Sequence, residues 1–337
     1  MRGVELVADL ATSANGIAPE LSDAKLRSLV IPIYGNEENV EDLVEALNAL
    51  DRDVGGMEVV FVVDGSPDRS GELLLAARER MHFESQIAFH SRNFGSFTAI
   101  RTGIELSKGQ VIAAMAADLQ EPPELICKFY AILENDDADV VFGQRMGRHD
   151  ALLRDALSNG FWWLYRKLVV KDVPKGGVDI FGCNRMAADT VLEIAEPNSS
   201  LIAQLFWIGF RRTFVPYERR KRLKGTSSWN LSRRLRYMMD SIFSFSDLPI
   251  LCVLWFGVAG CFLSLTFGLV IAFARIAGFV TEPGYAAIVV LVTFTASAML
   301  AVQGILGSYL WRTFENTKRR PLRIISRVVT SVGSPRA

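Results

Sequence analysis

The sequence predicts an α/β domain with a mainly parallel sheet, followed by a two-helix membrane hairpin at the C-terminal end. Three observations predict it. Short apolar strands alternate with amphipathic helices from Leu29 to Arg145, the pattern of a parallel sheet covered on both faces. Those strands are apolar on both sides rather than alternating, as burial on two faces requires. Two long uncharged runs then follow, 248–274 and 283–311, each longer than the ~20 residues that cross a bilayer.

The elements follow in order. Residues 1–27 are weakly patterned and read as a flexible tail. "SLVIPIY" is the first strand, with Pro32 at its end or at an edge, and "NVEDLVEALNAL" is the first helix. "MEVVFVV" is a strand that stops at Asp64. "SGELLLAARERM" is a helix, "SQIAFHS" a strand, "FTAIRTGIELS" a helix and "GQVIAAMAA" a strand. "PELICKFYAILEN" is a helix with Pro122 and Pro123 at its start, where a missing N–H costs nothing. "ADVVFGQR" is the fifth strand. Beyond residue 150 the periodicity loosens. "LSNGFWWLYRKLV" reads as helix, "GGVDIFGCNR" as a strand leading into a helix over 186–195, and "TFVPYERR" as a last strand.

Charge is balanced overall, with 37 Lys and Arg against 37 Asp and Glu, but not locally. Residues 211–236 hold ten basic residues against Glu218 alone. From Trp229 the apolar residues 231, 235, 238, 242 and 245 form one stripe. A basic amphipathic helix beside a membrane span reads as interfacial, each basic residue contributing ~1 kcal/mol near an anionic leaflet. Nucleic acid is the weaker reading of this stripe. "RRLR" before the first span and "KRRPLR" after the second place both flanks in the cytoplasm. The expected organisation is a tail over 1–27, a catalytic domain over 28–225, an interfacial helix over 226–247, a hairpin over 248–311 (spans near 248–274 and 285–311) and a basic cytoplasmic tail over 312–337. The four cysteines form no CxxC pair, so they read as inert thiols. His82, His90 and His149 lack ligand spacing and read as ordinary histidines.

In parallel sheets ligands bind at the carboxyl ends of the strands. Asn36 and Glu37 follow the first strand, Asp64 and Ser66 the second, Asn93 the third, Asp118 and Gln120 the fourth, and Arg145 the fifth. Polar groups from five strand ends predict one shared site. No GxGxxG or Walker-type loop follows any strand, which argues against dinucleotide and P-loop binding.

The motifs "IPIYGNEENV", "VVDGSPDRS", "RNFG", "ADLQEPPE", "VVFGQR", "GVDIFGCNR", "WIGFRRTFVPYERR" and "FSFSDLPI" together resemble the polyisoprenyl-phosphate glycosyltransferases. These are the dolichol-phosphate mannose synthase-like branch of the family-2 inverting glycosyltransferases. The resemblance spans about 28–323. It implies a GT-A fold and transfer of a sugar from a UDP- or GDP-sugar to a polyprenyl monophosphate, undecaprenyl phosphate in a bacterium. The expected location is the cytoplasmic face of the inner membrane, in contact with its lipids, with assembly into a homo-oligomer left open. It implies donor contacts from Pro32, Tyr34, Glu37, Asp64, Ser66 and Asn93. It implies Mg²⁺ or Mn²⁺ ligands in Asp118 and Gln120, and an acceptor-phosphate set of Arg145, Arg154, Ser158, Arg222 and Ser227. Asp179 matches a family acid near that pocket, so Asp118, Arg145 and Asp179 are the expected catalytic group.

The departures are specific. Val63 stands where the family has an acid before "DGS", Ala116 where it has the first acid of Asp-x-Asp, and Ser228 where it has lysine. Gly35 is an extra residue. The losses at 63 and 116 motivate a second expectation, a catalytically silent relative that binds lipid or nucleotide. A processive polysaccharide synthase is a third, but "GQRMGR" is not a QxxRW motif and two spans make a poor polymer channel.

Overall fold

A computed structural model describes residues 26–146, 178–220 apart from 195, 197 and 198, and 284–331 apart from 319, with scattered positions from 252 to 278. Strands β1 (Arg27–Ile33), β2 (Glu58–Val63), β3 (Glu84–His90), β4 (Val111–Ala114) and β5 (Val140–Arg145) alternate with helices α1 (Val40–Val54), α2 (Ser70–Ala77), α3 (Ser96–Leu106) and α4 (Glu124–Glu134). Then come β6 (Val178–Asn184), α5 (Arg185–Glu193), α6 (Leu201–Trp207), β7 (Arg212–Tyr217), α7 (Tyr285–Thr317) and β8 (Ile325–Ser331).

All eight strands join one sheet in the order β7-β5-β6-β4-β1-β2-β3-β8. The pairs β1–β2, β1–β4, β2–β3 and β5–β7 are parallel. Strand β6 runs antiparallel to both β4 and β5, between them. Six strands therefore point one way, and their carboxyl ends make a single rim. One face of the sheet packs α1, α2 and α4 through Leu43, Leu47, Leu74, Phe129 and Leu133. The other packs α5 and α6 through Ala187, Val191, Leu205 and Phe206, with Ile104 of α3. Every residue of β2 is buried, as its continuous apolar run dictates.

Two features differ from the sequence expectation. The fourth strand leaves the ladder after Ala114 instead of running to Ala117, although Met115 and Ala117 stay buried. The C-terminal segment expected as a cytoplasmic tail contains β8, which runs antiparallel to β3 from Ser85↔Ser331 to His90↔Ile325. The β-branched residues Ile325, Val328, Val329 and Thr330 suit a strand, and they cover an edge that β3 would otherwise leave open. Arg78 donates to Thr330 O at 3.1 Å, Ser326 Oγ to Phe89 O at 3.0 Å, and Arg323 pairs with Glu105.

Described positions between Cys252 and Ile276 are helical, and α7 runs 33 residues. Among the described residues no helix is long and apolar enough to cross a membrane. In sequence α7 carries no Asp, Glu, Lys or Arg from 285 to 311. It also leaves Leu291, Phe294, Leu300 and Leu310 more than half exposed.

Candidate active site at the carboxyl rim of the sheet

The rim is built by short loops that brace one another. Gly35, with φ +67°, lets the chain turn away from β1. Three consecutive backbone N–H groups of this turn are then taken by side chains of the β2 loop. Gly35 N donates to Ser66 Oγ at 2.8 Å, Asn36 N to Ser70 Oγ at 3.0 Å and Glu37 N to Asp68 Oδ2 at 2.9 Å. Glu37 answers by accepting from Arg69 N at 3.1 Å. Asp68 is the centre of this brace, accepting also from Ser66 Oγ at 2.5 Å and Ser70 Oγ at 2.7 Å. Partial burial pushes its carboxyl up, but the hydrogen bonds from Ser66, Ser70 and the Glu37 N–H outweigh that and hold it below its ordinary value.

Asp64 closes β2 and is 2 % exposed. One of its oxygens accepts from His90 Nδ1 at 2.7 Å and Phe94 N at 2.8 Å, the other from Gly95 N at 2.7 Å. An ionised carboxylate only accepts, so the His90 proton sits on Nδ1. His90 Nε2 lies 2.9 Å from Thr102 Oγ1 on α3. Asp64 thus ties the ends of β2 and β3 to the start of α3. Ser66 and Glu37 are likewise engaged with the scaffold. Of the expected donor contacts, Tyr34 and Asn93 are exposed at the rim and Pro32 is half-buried in β1 opposite Val62. Gly65 lets the β2 loop meet the β3 loop, since a Cβ there would lie 2.3 Å from Arg92 C and 2.5 Å from Asn93 N.

At the end of β4, Asp118 and Gln120 are half-buried. Gln120 N donates to Asp118 Oδ1 at 3.3 Å. Arg145 ends β5, half-buried, in register with Tyr217 of β7. Asp179 lies at the rim end of β6, beside Val178, which pairs with Gln144; its side chain is outside the described residues. Arg154, Ser158, Arg222 and Ser227 also lie outside them. The structure therefore gathers Pro32, Tyr34, Glu37, Asp64, Ser66, Asn93, Asp118, Gln120 and Arg145 along one rim.

A divalent cation fits the end of β4 only in part. Among the described residues no three His, Cys, Asp or Glu side chains form a metal-holding group. One carboxylate and one amide oxygen are hard donors, enough for Mg²⁺ or Mn²⁺ when phosphates and waters complete the shell. Among the described residues the cysteines Cys127, Cys183 and Cys252 are free and join no metal-holding group, and burial pushes the Cys183 thiol up to about 12.

Sequence reasoning missed three rim residues. Asp68 carried a signal, the Ser-x-Asp-x-Ser spacing of 66, 68 and 70, which suits side-chain-to-backbone turns. His90, read as ordinary, is the buried partner of Asp64. Glu121, inside "DLQEPPE", is 2 % exposed and pairs with Arg219.

A family model described as glycosyl transferase family 2 matches residues 28–195. A putative glycosyltransferase of Bacillus subtilis is 32% identical over 302 residues, covering 89% of this chain and 91% of that one. An undecaprenyl-phosphate 4-deoxy-4-formamido-L-arabinose transferase of Pseudomonas fluorescens is 30% identical over 315 residues, 90% of each chain. A prophage bactoprenol glucosyl transferase homologue of Escherichia coli is 26% identical over 307 residues, 89% of this chain and 98% of that one.

Proposed function

The chain belongs to glycosyl transferase family 2, and we propose that it moves a sugar from a UDP- or GDP-sugar to a polyprenyl monophosphate at the cytoplasmic face of a membrane. The observation that carries this reading is the rim itself. It sets the oxygen donors Asp118 and Gln120 and the cation Arg145 at the ends of strands β4 and β5, which share a direction. Relatives named for undecaprenyl phosphate and bactoprenol, aligned over most of both chains, support the acceptor class.

A polyprenyl phosphate is ionised at neutral pH, its second pKa near ~6 as in a phosphoserine. Its oxygen forms the new bond to the anomeric carbon while the bond from that carbon to the nucleoside diphosphate breaks, with inversion. No side chain has to remove a proton. The demand falls on the leaving diphosphate, and a divalent cation when bound supplies charge stabilisation there. Asp118 and Gln120 would hold it. Arg145 would neutralise the acceptor phosphate, with Arg154, Ser158, Arg222 and Ser227 as the remaining members of that set and Asp179 beside them. Tyr34, Asn93 and Pro32 would face the nucleotide, with Glu37, Asp64 and Ser66 fixing the loops that carry them.

The uncharged runs 248–274 and 283–311 would hold the enzyme in the bilayer where the prenyl chain resides. The sheet supports an even number of crossings, because β8 follows α7 and returns to pair with β3.

The test uses purified full-length protein in detergent with undecaprenyl phosphate, a panel of UDP- and GDP-sugars, and Mg²⁺, Mn²⁺ or EDTA, with lipid products read by mass spectrometry. One lipid-phosphate-sugar product, lost in EDTA, is expected. A product that survives EDTA removes the metal and keeps the transfer. Donor binding without any product supports the silent relative that Ala116 in place of an acid motivates.

A further inference from the structure

Between Asp118 and Gln120 the backbone passes through Leu119 at φ +52°. A leucine seldom holds that left-handed conformation unless its surroundings enforce it. The enforcing contacts come from the end of β7. Arg220 N donates to Gln120 O at 2.8 Å, and Gln120 Nε2 donates back to Arg220 O at 3.4 Å. Arg220 also reaches both carboxylate oxygens of Glu124 at 3.2 Å. Beneath these, Glu121 pairs with Arg219 Nε at 3.5 Å. Glu121 is 2 % exposed, and the following Pro122 and Pro123 offer it no backbone N–H. Met146 N donates to Tyr217 O at 2.8 Å, which joins the end of β5 to the same block.

We propose that Glu121, through its buried pair with Arg219, is a positioning residue that holds Asp118 and Gln120 in their cation-binding arrangement. It is not a catalytic residue, because burial keeps its carboxylate from substrate; it acts through the turn at Leu119. The inference rests on the proposed metal-assisted transfer. It adds that the turn is set by the strand end that also aligns Arg145, so the cation-side and acceptor-side residues share one support.

The test is Mn²⁺ binding to the full-length protein in detergent with UDP or GDP present, read by electron paramagnetic resonance, alongside thermal unfolding. In Glu121→Gln the Mn²⁺ dissociation constant should rise about tenfold or more, the usual scale for groups that orient ligands. Arg219→Gln should match it, and the double variant should add little beyond either single one. Should Glu121→Gln not fold, Glu121→Asp withdraws the charge by one methylene and should weaken binding about threefold or more. Mn²⁺ affinity equal to wild type in a folded Glu121 variant overturns the inference. So does a loss that merely tracks the fall in melting temperature across unrelated destabilised variants. Asp118→Ala separates the two claims: if it leaves Mn²⁺ binding intact, the metal reading itself fails; if it abolishes binding while Glu121→Gln does not alter it, only the positioning role falls.

Discussion

Asp64 Oδ1 and His90 Nδ1 lie 2.7 Å apart with both side chains buried, one at the end of β2 and the other at the end of β3. Removing one member leaves the other buried without its main partner, a change that costs about 3 kcal/mol or more. His90→Ala should therefore lower the melting temperature sharply, and Asp64→Asn should lower it as well, because one amide oxygen can serve only one of the two carboxylate positions and its NH2 faces an N–H donor at the other. Thermal unfolding of both variants checks this; a His90→Ala protein as stable as wild type would remove the anchor role.

Asp118→Ala should reduce transfer by about 100-fold or more, the scale of losing electrostatic support for a leaving group. Gln120→Ala should cost about tenfold, since a water can replace an amide oxygen. Single-turnover rates at saturating donor, across an Mg²⁺ titration, measure both.

Gly65→Ala should be severely destabilising, by about 3 kcal/mol or more. The added Cβ meets backbone atoms of Arg92 and Asn93, which cannot rotate away, and φ is +58°. Denaturant unfolding measures it; a loss under about 0.5 kcal/mol would show that the two loops part easily.

Asp68 yields a pH prediction whose sign follows from its depressed folded value. Its contribution is fully present above the unfolded carboxyl range, near 3.9, and is lost as pH falls through the lower folded value. The stability gap between wild type and Asp68→Asn should thus be flat from pH 5 to 8 and shrink below about pH 4. Unfolding curves at several pH values check this, and a gap that changes near neutrality would contradict it.

Replacing 252–317 by a short flexible linker, with β8 retained, should cut activity on long-chain lipid acceptors far more than on short soluble analogues. Truncation after Thr317 also removes β8 and bares the β3 edge, so it should lower stability and promote aggregation. Kinetics on both acceptor types, with light scattering, separate the effects of the two variants; equal losses on both acceptors would count against membrane anchoring.

The first five strands and four helices were legible because each strand is an apolar run bounded by turn residues and each helix carries one apolar face. The strand-end rule put Asp118, Gln120 and Arg145 after the fourth and fifth strands, and the shared direction of β4 and β5 brings those ends to one rim. It could not tell which way a carboxylate turns: Asp64 faces the scaffold, a choice made by His90 and the Phe94 and Gly95 N–H groups, all distant in sequence, and Ser66 turns to Asp68, two residues on. The reversal of β6 was illegible, since a strand buried on both faces reads the same in either direction. Strand β8 was hidden by its distance from β3 and by the basic residues around it.

That distance has a consequence for biogenesis. The partner of β3 leaves the ribosome more than two hundred positions after β3 itself. On the membrane reading, the sheet waits with an open edge while the hairpin is handed to the insertion machinery. It is completed only when the chain has gone out and come back. Correct insertion would then be a precondition for a finished enzyme, and a chain that failed to return would display an unpaired strand to the cell's proteases and chaperones.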